Sequence, residues 1–171
     1  MLWHFSEDPH IERFTPHVPA TNPTQPPSVW AIDTRHVPLY WFPRDCPRVT
    51  VWADDEIQQA NLGARLHTTA SRVHATELAW LDRIRTTALY AYRLSDETFR
   101  AWTEAHGQWV STEPVTPLGV EPVGDLLVRH VAAGIELRLV PDLGPLRDLV
   151  LAGGLPFSMV RMGNARHTEP T

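Results

Sequence analysis

The sequence predicts an α+β fold in a single domain, with a mainly antiparallel, split sheet and flanking helices. Short alternating strand patterns and short helical patterns follow one another without the regular β–α–β period of a parallel sheet. The chain of 171 residues is long enough for one ordinary hydrophobic core. No internal repeat and no clear linker divides residues 1–171, so we expect one domain.

The first third of the chain alternates predicted strands with loops. Five prolines between residues 15 and 27 predict a long surface loop, because proline cannot donate to a helix or a central strand. A short helical turn is predicted over 34–41, which Pro43 ends. Alternation places Val49 and Val51 on one face of a strand, with Thr50 and Trp52 on the other. The predicted strands of this part are 2–5, 28–32 and 48–53.

The rest of the chain mixes helical and extended patterns. Apolar residues at helical spacing predict helix through 54–87. Ser95 is a good N-cap, and with the acids that follow it predicts a helix to about Ala105. Residues 166–171 are expected to fray. The remaining predicted strands are 88–94, 108–111, 119–123, 135–140 and 157–162, and the remaining predicted helices are 125–133 and 145–152.

Composition limits the classes of function. The formal charge of −5 argues against a general nucleic-acid binder, since such proteins carry a basic face. The N-terminal residues lack a signal-peptide pattern, and no apolar run is long enough to span a membrane. We therefore expect a cytoplasmic protein with no membrane partner. No pattern specifies an oligomeric state.

The only cysteine, Cys46, lies in the stretch WFPRDCPRV. One cysteine excludes an internal disulfide and a CxxC metal site. A nucleophilic thiol needs a neighbouring histidine or a helix N-terminus to lower its pKa, and no helix follows this one. The favoured interpretation is a small buried side chain, with catalysis as the alternative. Arg44 and Asp45 are expected to make local hydrogen bonds, although an arginine fork also suits a phosphate.

Aromatic residues interleaved with polar ones mark the first 52 residues. This composition is typical of a small-molecule pocket, and equally of an aromatic core with a polar rim. Asp33-x-x-His36 has a usable metal-ligand spacing, and His4 completes a candidate metal set for a hydrolase. Because nine histidines reach such spacings by chance, no metal is favoured. The set comprises His4, Ser6, Asp33, His36, Tyr40, Arg44, Asp45 and Arg48, with Trp3, Trp30, Trp41 and Trp52.

Several blocks, among them HFSEDPHIERFTP, VWAID, YWFPRDCPRV and GIELRLV, resemble an uncharacterised bacterial protein family over about residues 2–165. The block order is also similar to the ADP-ribosyltransferase superfamily. There, a first strand ends in His-x-Ser/Thr, which His4-Phe5-Ser6 resembles. Trp30 or Tyr40 resembles the aromatic that stacks on nicotinamide, and Gln108-Trp109-Val110 resembles a late Glu/Gln-aromatic-Val strand.

This second resemblance implies NAD as the substrate and a transferase-like split sheet. Cleavage of the nicotinamide–ribose bond passes through an oxocarbenium-like state. The resemblance implies His4 and Gln108 as catalytic residues, although Gln108 replaces the glutamate of many transferases and Glu113 is out of register. It implies NAD contacts from His4, Ser6, Trp30, Tyr40, Arg44 and Arg48.

Three functions remain open from the sequence. The first is an NAD- or nucleotide-binding protein which, if it is an enzyme, transfers ADP-ribose or a related glycosyl group. The second is a non-enzymatic ligand-binding or interaction domain. The third is a metal-dependent hydrolase that uses His4, Asp33 and His36.

Overall fold

A computed structural model describes residues 1–18 and 24–166. Its strands are β1 Leu2–Ser6, β2 Val29–Asp33, β3 Arg48–Trp52, β4 Arg72–Glu77, β5 Tyr90–Leu94, β6 Arg100–Ala101, β7 Gln108–Ser111, β8 Gly119–Pro122, β9 Glu136–Val140 and β10 Phe157–Val160. Its α-helices are α1 Glu56–Leu66, α2 Leu81–Thr86, α3 Leu126–Ala132 and α4 Gly144–Leu151. Short 3₁₀ helices occupy Thr34–Tyr40, Leu78–Trp80 and Met162–Asn164.

The chain divides into two compact units. The first consists of Met1–Tyr40 with Ala88–Gly124, and the second of Trp41–Thr87 with Asp125–Thr171. The first unit holds a six-stranded antiparallel sheet, and the second a four-stranded mixed sheet. The predicted α+β class with a mainly antiparallel sheet is confirmed. The extent of a domain over 1–171 stays a prediction.

The sheet of the first unit has the order β6-β7-β2-β1-β5-β8. Successive side chains of a strand point to opposite faces, so each face is defined by every second residue. One face is covered by the segment around Phe14 and forms an apolar core, in which Tyr92 is almost fully buried. The buried members of that core are Leu2, Phe14, Val29, Ala31, Tyr92, Leu94, Phe99 and Val115.

The sheet of the second unit has the order β10-β3-β4-β9, in which β9 runs parallel to β4 and the other pairs are antiparallel. One face packs against residues of α1 and α4. Helix α1 begins where the Asp55 carboxylate accepts the Gln58 N–H, and it ends at His67, whose φ is 51°. The buried core members are Val49, Val51, Leu62, Leu66, Val73, Ala75, Leu143, Val150 and Leu155.

Most predicted elements are confirmed to within one or two residues. The faces predicted for the residues of β3 are confirmed, since Val49 and Val51 belong to the apolar core described above whereas Thr50 and Trp52 do not. The extended stretch 108–111 matches β7, and the predicted turn 34–41 is the 3₁₀ helix Thr34–Tyr40. The strand predicted over 135–140 is β9.

Two helix predictions are wrong. Residues 54–87 are not helical throughout, because β4 separates α1 from α2. Strand β4 does place Val73 and Ala75 on its core face, but Ala75 also begins a run of apolar residues at helical spacing that continues to Ile84, and this spacing favoured a helix. Residues 95–105 contain turns and the short β6 instead of a helix. There Asp96 binds the N-terminal amino group and Phe99 enters the core, contacts that override the local capping signal.

Two predictions lie partly outside the described residues. In the proline-rich segment 15–27, residues 19–23 are not described, and His17 and Ser28 form an isolated bridge between its ends. In the expected tail 166–171, only Arg166 is described, and its N–H donates to Glu77. None of the helices in the described part of the chain is both long and apolar enough to span a bilayer.

Candidate functional site

His4 and Ser6 lie on the core-facing side of β1. His4 pairs with Tyr92 across the strands, and its ring lies 4.6 Å from that of Phe14. His4 Nδ1 is 2.8 Å from the carbonyl oxygen of Trp30. The Ser6 hydroxyl is buried and accepts the N–H of Asp8, which shapes the turn after β1. Both side chains therefore have structural contacts with the core and the chain that covers it.

Gln108 lies on the opposite face of the same sheet. It pairs with Ile32, and Ile32 pairs with Trp3, so these three side chains share a face. Because Trp3 and His4 are consecutive in β1, His4 must point the other way. The structure thus does not bring His4 and Gln108 to one side of the sheet, whereas two residues that contact one ribose need a shared side.

The structure does bring Tyr40 and Gln108 together. The Gln108 amide donates to the Tyr40 hydroxyl across 2.8 Å. The Tyr40 ring stacks on that of Phe5, with 6.1 Å between centroids and 10° between planes. Trp30 shares this face and meets Trp102 edge-on at 5.5 Å. All of these side chains are half-buried, so parts of their surfaces remain open to a ligand.

Asp33 and His36 form a hydrogen-bonded pair where β2 runs into the 3₁₀ helix Thr34–Tyr40. One carboxylate oxygen of Asp33 accepts both the backbone N–H of His36 and its ring Nδ1, at 2.9 and 2.8 Å. The His36 side chain is 12% exposed and that of Asp33 32%. The imidazole is therefore held in one orientation by the carboxylate of Asp33, three residues earlier in the chain.

Gly107 makes room for this imidazole. A Cβ at position 107 would lie 2.2 Å from His36 Nδ1, and the φ of +69° also favours glycine. The Gly107 carbonyl accepts the backbone N–H of Asp33. The ring of His106 stacks near that of His36 at 6.4 Å. We call Asp33, His36, Tyr40, Gly107 and Gln108 the dyad site.

The two predicted pyrophosphate ligands, Arg44 and Arg48, belong to the second unit. Arg48 is only 2% exposed, and its guanidinium donates to the Cys46 carbonyl and lies over the Phe42 ring. Arg44 is exposed, and its carbonyl accepts from Arg161. Arg48 thus has a structural environment, while the predicted role of Arg44 stays a prediction.

Cys46 is fully buried, as its favoured interpretation requires. Its Sγ lies 3.1 Å from the Thr76 hydroxyl, which donates to the Pro47 carbonyl. Burial raises the pKa of this thiol to about 11. At neutral pH the sulfur is protonated and lacks the thiolate that nucleophilic chemistry needs.

A buried histidine pair was missed by the sequence analysis. His74 Nδ1 lies 3.0 Å from His130 Nε2, and His130 Nδ1 lies 2.7 Å from the Leu126 carbonyl oxygen. Burial lowers the pKa of both imidazoles. Because residues 54–87 were predicted as helix, the sequence did not indicate that His74, in strand β4, would face His130 in α3.

Among residues 1–18 and 24–166, no three His, Cys, Asp or Glu residues are grouped to hold a metal, so His4 does not join Asp33 and His36.

Comparison with known proteins agrees with the first resemblance. A model of a family of unknown function, DUF6886, matches residues 3–165, and the chain belongs to that family. The predicted membership of an uncharacterised family is confirmed. No curated protein and no solved structure matches the chain. The similarity to ADP-ribosyltransferases stays a prediction.

Proposed function

We propose that this member of the DUF6886 family binds a small molecule with a flat ring at the dyad site, and that the Asp33–His36 pair acts there as a general base. NAD or a related nucleotide is the ligand class that the sequence resemblance implies. The observation that supports the proposal most directly is the 2.8 Å contact between Asp33 Oδ1 and His36 Nδ1.

The chemistry of this pair follows from the tautomer. A carboxylate only accepts, so Nδ1 of His36 must hold the proton. In the neutral ring, Nε2 is then the nitrogen that accepts a proton from a reacting group. A carboxylate behind the imidazole also stabilises the imidazolium that forms, as in catalytic triads. The arrangement suits proton abstraction from water or from a hydroxyl group.

The neighbouring side chains suit a ring with a polar edge. Trp30 and Trp102 present partly open indole surfaces, on which a nicotinamide or adenine ring can stack. The Gln108 amide, which Tyr40 orients, supplies donor and acceptor groups for a carboxamide or nucleobase. Backbone and ring contacts fix each of these groups before ligand binding, which lowers the entropy cost of binding.

This proposal assigns no ligand contact to His4. The proposed site lies on the other face of the sheet, so a transferase that uses His4 and Gln108 on one ribose is not part of it. A non-enzymatic ligand-binding domain is the alternative that the same aromatic surface supports, and turnover distinguishes the two.

Binding is tested by calorimetric titration with NAD, ADP-ribose, AMP and nicotinamide, and turnover by chromatography of the NAD mixture. We expect Trp30→Ala to weaken binding about 5- to 150-fold, the range of one lost stacking contact. We expect His36→Gln to leave affinity within about threefold and to lower turnover by about 10²- to 10⁴-fold. The matched control is Trp109→Ala, because Trp109 lies in the neighbouring strand β7 and pairs with Ala31, so its side chain is on the opposite face from that of Trp30.

Each part of the proposal has an outcome that overturns it. If none of the four compounds binds the wild-type protein, the nucleotide assignment is wrong. If NAD binds but is not converted, the general-base role is wrong and the ligand-binding alternative holds. If Trp109→Ala weakens binding as much as Trp30→Ala, the ligand does not use this face.

A further inference from the structure

A second candidate site lies in the other unit, where the chain leaves α1. An open cavity of about 580 Å³ is bordered there by His67, Thr68, Thr69 and Ala70, which follow the helix, by Gly134, and by Glu136, the first residue of β9. This volume is within the range of small-molecule sites. Every one of these residues belongs to the second unit, so the cavity and the dyad site share no residue.

Glu136 supplies a charged acceptor at the cavity. The Thr68 hydroxyl donates to its Oε2, and Arg138 Nε donates to its Oε1 at 2.7 Å. These contacts, the Thr68 hydrogen bond first, lower the pKa of the carboxyl group. A carboxylate offers about four lone-pair positions, so two donors do not saturate it. The side chain is 35% exposed and can be reached by a ligand.

The end of α1 adds negative potential to the same place. Helix carbonyl groups near a C-terminus carry a partial negative charge that favours cations. Arg138 already interacts with this helix end, because its Nη2 donates a hydrogen bond to the carbonyl oxygen of Leu66 in the last turn of α1. The cavity therefore lies beside a helix end that one cation already stabilises.

The lining as a whole is rich in acceptors and poor in positive charge. Among the described residues, no arginine belongs to the lining, although Arg138 pairs with the Glu136 carboxylate, and the lining contributes that carboxylate and the hydroxyl groups of Thr68 and Thr69. A ligand with a carboxylate or phosphate would meet like charge here, and its desolvation would not be repaid. A ligand with an ammonium or guanidinium group would gain charge-assisted hydrogen bonds.

We infer that this cavity binds a small organic cation, an alkylammonium or guanidinium compound, with Glu136 as its principal acceptor. The space at Gly134 is open, since no atom lies within 4 Å of a Cβ built there. A metal ion is a poorer occupant, because the described residues contain no group of three His, Cys, Asp or Glu side chains placed to hold one.

The test is an NMR titration of the ¹⁵N-labelled protein with agmatine and putrescine, and with acetate and glycerol as comparison compounds. We expect both amines to shift the backbone amide signals of residues 67–70 and 134–136, and the comparison compounds to leave them unchanged. Glu136→Gln should weaken amine binding at least tenfold, and 0.5 M salt should weaken it as well. The matched control is Asp148→Asn, which removes an exposed, arginine-paired carboxylate elsewhere in the second unit.

A second pair of variants covers the case in which Glu136→Gln fails to fold. Thr69 and Ser71 are both exposed, but only Thr69 borders the cavity. Thr69→Arg would place a guanidinium in the cavity and should abolish amine binding, whereas Ser71→Arg should preserve it. Equal shifts with acetate and amines, or unchanged amine affinity in Glu136→Gln or Thr69→Arg, would overturn the assignment.

Discussion

His74 donates its Nδ1 proton to Nε2 of His130 across 3.0 Å. The direction follows from the next contact, in which Nδ1 of His130 faces the Leu126 carbonyl oxygen and must itself carry a proton. His130 Nε2 is then an acceptor, and His74 Nδ1 is its donor. Nε2 of His74 is left as a buried lone pair with no hydrogen-bond partner among the described residues. This arrangement requires two neutral rings, which burial favours because it lowers the pKa of both imidazoles.

Acid should destabilise the protein through this pair. Burial lowers the pKa of His74, and His130, Arg72 and Arg48 lower it further, while burial lowers that of His130. Between the usual histidine pKa of about 6.5 and these lower values, the unfolded chain binds protons that the folded chain does not. Stability is thus fully present above about pH 6.5 and is lost as the pH falls. We expect a loss of up to about 1.4 kcal/mol per pH unit for each ring, measured by urea unfolding from pH 7.5 to 5.

A variant separates this effect from general acid denaturation. His74→Phe removes one titrating ring of the pair and should roughly halve the slope of unfolding free energy against pH. His10→Gln changes an exposed histidine and should leave the slope as it is. An unaltered slope in His74→Phe would mean that carboxylates, and not this pair, determine the acid response.

The Cys46 thiol should be almost inert in the folded protein. Its pKa of about 11 leaves very little thiolate at pH 7.5, and the sulfur has no exposed surface. We expect a thiol-directed disulfide reagent to label Cys46 at least 10³ times more slowly in buffer than in 6 M guanidinium chloride. Rapid labelling of the folded protein would show an accessible, activated thiol and would restore the catalytic alternative.

Local alternation predicted strands where no helical spacing of apolar residues overlapped them. Alternation identified β3 and β9, and the stretch Gln108–Ser111 was recognised as a strand. Strand β4 was missed although Val73 and Ala75 show a period of two, because Ala75 also starts a helical spacing of apolar residues that runs to Ile84. The helix predicted from Ser95 failed because Phe99 gains more from the core than from a helical turn.

The candidate site was predictable only where it depends on local spacing. Asp33 and His36 are three residues apart, and this spacing predicted that they could act together as metal ligands. It did not predict that the Asp33 carboxylate would orient the His36 ring as a base. The relation of His4 to Gln108 depends on the pairing of β1, β2 and β7. Register decides which face a side chain takes, and a shift of one residue reverses it. A sequence without an alignment does not give that register.

The Tyr92 hydroxyl should stabilise the turn that follows β1. It donates to the Asp8 carbonyl at 2.6 Å and accepts the Ile11 N–H at 3.0 Å, and the residue is 1% exposed. Tyr92→Phe leaves both backbone groups without this partner, so we expect a loss of about 1–3 kcal/mol in the free energy of unfolding. Denaturant titration measures the loss. Tyr90→Phe, two residues away in β5 and half-buried beside the same core, should cost under about 0.5 kcal/mol.

Gly107→Ala should disturb the dyad site through His36. The added Cβ would lie 2.2 Å from His36 Nδ1, so the imidazole has to leave Asp33 or the backbone has to shift. The φ of +69° adds strain for any other residue, of about 1 kcal/mol. We expect an unfolding free energy lower by about 2–4 kcal/mol, and loss of the downfield ¹H signal of the Asp33-bound Nδ1 proton.

The matched control is Gly124→Ala. Gly124 has a φ of +84°, but nothing lies within 4 Å of its built Cβ, so this variant reports backbone strain alone. The difference between the two alanine variants therefore measures the steric conflict with His36. His36→Gly in the Gly107→Ala background should recover most of that difference, because it removes both the ring and the His36 Cβ, which would lie 2.7 Å from the added Cβ. Equal losses in the two glycine variants, with no recovery, would mean that Gly107 is required only for its backbone angle.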